Sequence, residues 1–155
     1  LDFLIFDTGA GISTNVTYFC SAAHEILLIA TAEPTSLTDV YALIKTLYIK
    51  HSQKHFRMVI NSVDSEREAQ LIFRNLAAVT DRFLPNVSVE YLGYIVSDSN
   101  VTKAVRRQKA FSEIYPHAKV TQCVKKLAQK MIVEKQSVIN EEQPSLFWRT
   151  AFTAQ

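Results

Sequence analysis

The sequence is poor in the residues that punctuate a chain, with three glycines and four prolines among 155 residues. Collagen-like and low-complexity architectures depend on those residue types, so they are excluded. The two cysteines, Cys20 and Cys123, are too few and too far apart for the disulfide framework of a small secreted domain, and they read as reduced, packed thiols. No apolar stretch approaches the roughly 18 to 20 residues that a membrane-crossing helix requires, and no basic, apolar, small-residue cleavage pattern opens the chain. The Asn-x-Ser/Thr sequons at Asn15, Asn86 and Asn100 are short enough to arise by chance, so the expectation is a cytoplasmic protein. Leu1 is followed almost at once by an apolar run, Phe3 to Phe6, which implies further chain upstream. With 48% hydrophobic and 21% charged residues, the chain suits one soluble domain with a real core.

The net charge of +2 is unevenly spread: residues 1 to 100 carry 7 Lys/Arg against 11 Asp/Glu, and residues 101 to 155 carry 10 against 4. Basic surface is therefore expected from the C-terminal third.

Four short apolar runs read as strands of a parallel sheet, at residues 2 to 7, 25 to 31, 57 to 63 and 89 to 96. Helical spacing appears between them. A short helix fills about 13 to 23. Ser36, with Asp39 three positions on, caps a second helix carrying Leu37, Val40, Ile44 and Leu47. Ser65 with Glu68 makes a capping box for a third, with Ala69, Ile72, Phe73, Leu76, Val79 and Phe83 at helical spacing. Alternating strands and helices imply an α/β fold with a mainly parallel, doubly wound sheet and helices on both faces. Beyond a loop at 97 to 100, a short basic helix spans 101 to 108, Pro116 breaks the chain, and a helix runs from Val120 to about Glu134. Residues 135 to 145 read as a polar linker, and the tail closes on Leu146, Phe147, Trp148, Arg149 and Phe152.

The feature richest in chemistry is the first run, which ends in Asp7 and continues Thr8-Gly9-Ala10-Gly11. In open α/β sheets ligands sit at the C-terminal strand ends, where an acid can hold Mg²⁺ through its waters. The glycines permit close approach to a phosphate, but Asp and Gly also make ordinary turns, and the residues alone leave both readings open.

Residues 2 to 13, Asp-Phe-Leu-Ile-Phe-Asp-Thr-Gly-Ala-Gly-Ile-Ser, resemble the Walker B strand and switch II segment of MinD/ParA-type ATPases. Further blocks resemble the FlhG/FleN (YlxH) group of flagellar-number regulators: Glu33 to Lys45, Val59-Ile-Asn61, Ser65 to Gln70, and Tyr91-Leu-Gly-Tyr-Ile95 with Asp98, Ala104-Val105 and Gln108-Lys109. The resemblance covers residues 2 to 134 in unbroken order. It implies a P-loop NTPase-like fold lacking its N-terminal part, with Asp7 as the Walker B acid at Mg²⁺ and Gly9 and Gly11 in the segment that senses the γ-phosphate. Asn61 corresponds to the base-contacting Asn, with Val96 and Asp98 near the base; Val96 replaces the family's usual Pro. ATP/ADP and Mg²⁺ are the implied cofactors. The implied partners are a second copy of the chain, an FlhF-type GTPase, flagellar switch proteins and a flagellar transcription regulator.

A P-loop needs glycine-rich backbone amides and a lysine for the phosphates, and none of Gly9, Gly11 and Gly93 precedes a lysine. The resemblance thus implies an ATPase in which these 155 residues are inactive alone. A ParA-like partition ATPase that binds DNA and a nucleotide-independent interaction module are the alternative functions. Other constellations carry less. Cys20 and His24 have helical spacing but no oxyanion-hole motif beside them. His51 and His55 have zinc-like spacing without a third ligand. Lys125, Lys126 and Lys130 read as a solvated helix face, and Glu141 and Glu142 as linker residues. Arg106, Arg107 and Lys109 could meet nucleic-acid phosphates. The aromatics and Arg149 of the tail suit peripheral membrane contact, which the resemblance also implies. The expected organisation is an ATPase-domain part at 1–134, a linker at 135–145 and a membrane-targeting tail at 146–155.

Overall fold

The computed structural model describes residues 3–139, with side chains through residue 133. The tail residues Leu146, Phe147, Trp148, Arg149 and Phe152, and the linker from residue 140 onward, lie outside the described residues. The elements run α1 (Thr14–Ala22), β1 (Leu27–Ala30), α2 (Pro34–His51), β2 (His55–Val63), α3 (Glu66–Phe83), β3 (Ser88–Val96), α4 (Ser99–Arg106), α5 (Phe111–Ile114) and α6 (Lys119–Ile139). The strands form one sheet in the order β1-β2-β3, both pairings parallel, with Leu27 opposite Arg57 and His55 opposite Ser88. The expected α/β fold with parallel strands and intervening helices is present, and it is consistent with part of a P-loop NTPase-like fold.

Local chemistry accounts for the helix starts. Ser13 caps α1, its Oγ accepting from the Val16 amide. At α3 the expected capping box forms with a variation: Ser65 Oγ accepts from the Glu68 amide, while Glu68 Oε2 accepts from the amide of Asp64, one residue before the cap. The cap expected at Ser36 does not form. Helix α2 begins at Pro34, whose fixed φ suits a first helical position, and Ser36 Oγ instead accepts from the Thr31 amide at 3.0 Å. Asp98 caps α4 by accepting from the Asn100 amide, so that helix starts two residues earlier than the spacing predicts. Helix α5 was not anticipated, and α6 continues to Ile139, five residues into the expected linker, because no glycine or proline interrupts it before Pro144.

Helices α2 and α3 cover one face of the sheet. Ile26, Leu28, Ala30, Phe56, Met58 and Ile60 pack there with Val40, Ile44 and Leu47 of α2 and Ala69 and Leu76 of α3. The other face is covered by α6 over β3. Gly93 makes that approach possible: a Cβ placed on it would lie 2.7 Å from Leu127 Cδ2. Lys130, expected to face solvent only, also reaches back to the sheet and donates to the carbonyls of Tyr91 and Leu92. Toward β1 no element among the described residues covers this second face, with Leu27 and Ile29 exposed while Leu28 and Ala30 are buried. The register is tied across all three strands by Arg57 on β2, which pairs with Glu25 ahead of β1 and with Glu90 on β3.

The largest correction concerns residues 2 to 7. Residues 3 to 7 are not a strand, and the segment lies outside the sheet with Leu4 and Ile5 exposed. An apolar strand is held by hydrogen-bonding neighbours and by cover on its faces. Among the described residues no strand pairs with this segment.

Candidate functional site

Asp7, Gly9 and Gly11 stand in the extended segment that leads into α1. Gly11 has φ +96°, a left-handed conformation that glycine adopts without steric cost, and it turns the chain into the Ser13 cap. Phe6 anchors the segment by stacking on Phe19 of α1, ring centroids 5.2 Å apart. Between segment and helix lies a cleft of about 330 Å³ lined by Ile5, Phe6, Asp7, Thr8, Gly9, Asn15, Val16 and Phe19. Gly9 and Gly11 have open space where a side chain would stand, so neither is required by packing.

The second expected group lies at the C-terminal ends of β2 and β3. Asn61 is opposite Ile95, and Val63 is opposite Val96 across a register irregularity at which Ser62 takes φ +59°. The amide of Ser97 donates to the carbonyl of Val63 at 2.9 Å, closing the two strand ends together. Asn61, Val96 and Asp98 are thereby gathered within a few residues of this junction, and the Asp98 carboxylate is engaged in capping α4. None of the three lines the Asp7 cleft.

In chemical terms the cleft offers one exposed carboxylate, a threonine hydroxyl and glycine backbone. That set fits a divalent cation held through water, because a carboxylate is a hard oxygen donor and the surrounding backbone is unobstructed. It does not fit phosphate by itself, since no lysine or arginine lines it. Among the described residues no group of three or more His, Cys, Asp or Glu side chains is arranged to hold a metal. His51 and His55 do not share a helix: His51 ends α2 and His55 begins β2. Cys20 is half-buried in the last turn of α1, where burial pushes its thiol pKa up, the reverse of an activated nucleophile.

Composition and spacing give no hint of Phe6 and Phe19 as partners, because the contact joins an irregular segment to a helix. Tyr91 is equally hidden in the sequence. Its hydroxyl is buried without a hydrogen-bond partner among the described residues, beside Phe73 at 5.2 Å. Burial, then the charge of Glu66 and the neighbouring Tyr94, push its pKa up to about 12.

A parallel α/β sheet with a glycine-flanked acid near it and polar residues at its C-terminal strand ends defines the class: an α/β domain consistent with the P-loop NTPase-like group. The comparisons with known proteins are narrower. No protein-family model matches the chain. The chain is 45% identical over 131 residues to the antiactivator FleN of Pseudomonas aeruginosa, covering 84% of this chain and 46% of that protein. It is 29% identical over 128 residues to the flagellum site-determining protein YlxH of Helicobacter pylori, covering 83% of this chain and 43% of that protein. Over most of its length the chain is therefore similar to flagellar-number regulators, as the ordered motif blocks led one to expect. It spans less than half the length of these curated relatives.

Proposed function

We propose that the chain is part of a MinD/ParA-type ATPase that regulates flagellar number or placement by switching between a nucleotide-bound dimer and a free monomer. The 45% identity to an antiactivator carries this reading, and the position of Asp7 and Gly9 on an open cleft supports it. Asp7 holds Mg²⁺ through its waters. Bound ATP supplies the γ-phosphate whose presence or loss is sensed. Gly9 and Gly11, unhindered by neighbours, let the loop order or relax in response. Asn61, with the Val96-to-Asp98 loop, contacts the base. The cation that neutralises the phosphates comes from a P-loop outside this chain, so the 155 residues alone are inactive. By likeness to an antiactivator, a transcription regulator of flagellar genes is the first partner to seek. An FlhF-type GTPase and flagellar switch proteins follow. The tail at 146–155 gives peripheral membrane contact.

Phosphate release is the test. The purified 155-residue chain is expected to release none above background, and the same chain carrying its natural upstream sequence is expected to hydrolyse ATP and to lose that activity on Asp7→Asn. Release by the short chain, or unchanged hydrolysis in the Asp7→Asn protein, overturns the assignment. Steeply salt-dependent duplex-DNA binding without effect on flagellar number would favour a partition ATPase instead.

A further inference from the structure

We propose that the end of the sheet at which its strands begin is a contact surface for an anionic membrane, built from Lys50, Lys54 and Arg82 with His51 and His55. The inference takes the peripheral-membrane reading above as its frame but uses none of residues 146–152. Lys50 and His51 close α2, and Ser52, in the left-handed region at φ 57°, turns the chain so that Lys54 and His55 lead into β2. All four basic side chains are exposed, and residues 50 to 55 contain no acid. The neighbouring turn is joined to this one by the Ser88 amide, which donates to the carbonyl of Lys54 at 2.6 Å. It brings the last residues of α3, where the Arg82 guanidinium lies 5.3 Å from the centre of the Phe83 ring.

Among the described residues of this end, Lys50, Lys54, Arg57 and Arg82 stand against Glu25, Asp81 and Glu90, which leaves it positive by one charge. Glu25 and Glu90 are both taken by Arg57, and Asp81 stands exposed beside Arg82. Among the described residues no carboxylate lies within ion-pair distance of Lys50, Lys54 or Arg82.

One further observation favours lipid over nucleic acid. Ile49 and Phe83, 64% and 58% exposed, are interleaved with the cations, as suits a surface that meets headgroups and the acyl boundary together. The chain also leaves α6 at this end. Leu127 lies against Gly93, and Lys130 lies three residues on at the carbonyls of Tyr91 and Leu92, so α6 runs antiparallel to β3. At about 1.5 Å per helical residue and about 3.3 Å per strand residue, the helix draws level with Ser88 roughly eleven residues after Leu127, close to Ile139 where it ends. Ile139, the last residue of α6, therefore stands toward the basic end.

Co-sedimentation of the full 155-residue chain with phosphatidylglycerol-rich vesicles, against pure phosphatidylcholine vesicles, tests the proposal. Binding is expected only to the anionic vesicles. The double variant Lys50→Gln/Lys54→Gln is expected to weaken it about thirtyfold, roughly fivefold per lysine near an anionic surface, with an unchanged melting temperature. Lys103→Gln/Arg106→Gln, on α4 at the opposite end of the sheet, is expected to leave binding unchanged. Failure of the unaltered chain to bind, equal weakening by both pairs, or retention of vesicle binding by the Lys50/Lys54 variant overturns the proposal. So does loss of duplex-DNA binding in that variant with vesicle binding intact. The tail is judged separately by Phe147→Ser/Trp148→Ser: if that variant binds normally while the Lys50/Lys54 variant does not, the tail reading falls and this one stands.

Discussion

Strand β2 and the segment before α1 have similar apolar runs and opposite fates. Phe56, Met58, Val59 and Ile60 are at most 2% exposed, whereas Leu4 is 56% and Ile5 84% exposed. Both segments have the composition of a buried strand. The difference lies in their neighbours: β2 is paired on both edges and packs beneath α2 and α3, while in the leading segment Phe6 stacks on Phe19 of α1. An apolar pattern states what a segment can bury, and the surrounding chain decides whether it does.

The contrast can be broken or sharpened by substitution. Phe56→Ala empties a fully covered site and should cost about 3 to 5 kcal/mol, read from the urea midpoint; a cost below about 1 kcal/mol would mean that the centre of the sheet is no better packed than the leading segment. Gly93→Ala drives a methyl into Leu127 and should cost about 1 to 3 kcal/mol, partly relieved when combined with Leu127→Ala; simple additivity of the two would show that the close approach is not what limits the site. Tyr91 gives a pH test. Its pKa is higher in the fold than in the unfolded chain, so its contribution is fully present below the ordinary tyrosine value near 10 and is lost as pH rises through about 12. Alkaline unfolding should therefore set in at higher pH for Tyr91→Phe. That variant should also be no less stable at neutral pH, because the buried hydroxyl has no partner to lose. Ile5→Ser should change stability by less than about 0.5 kcal/mol, and a larger loss would show that the leading segment is covered in solution.

Much of the sheet was legible in advance because strand and helix periods differ so clearly: β2, β3, α1 and the Ser65 cap appear where the pattern puts them. Ser36 was misread because Pro34 and Ser36 both suit a helix start, and what chose between them was the need of the Thr31 amide for an acceptor, a contact five residues back. The strand expected at residues 2 to 7 depended on partners that a local pattern cannot supply. For the candidate site, the sequence pointed to Asp7, Gly9 and Gly11 but not to Phe6 and Phe19, which line the cleft with Asp7 and Gly9. It grouped Asn61 with Val96 and Asp98 only through resemblance, where the structure joins them by the Ser97 amide. The basic turn at 50 to 55 drew notice only as a pair of histidines, because its neighbours Arg82 and Phe83 lie about thirty residues further along.

The parallel register has a consequence for how the sheet assembles. Leu27 meets Arg57 thirty positions along the chain, and His55 meets Ser88 thirty-three along, so no two strands can zip up from a tight hairpin. Each pairing must wait for an intervening helix to form and swing across, and closing such long loops before any ladder bond rewards them makes folding slow for the domain's size. During that wait the apolar strands stand unpaired, which makes dilute refolding the condition under which this chain should be recovered intact.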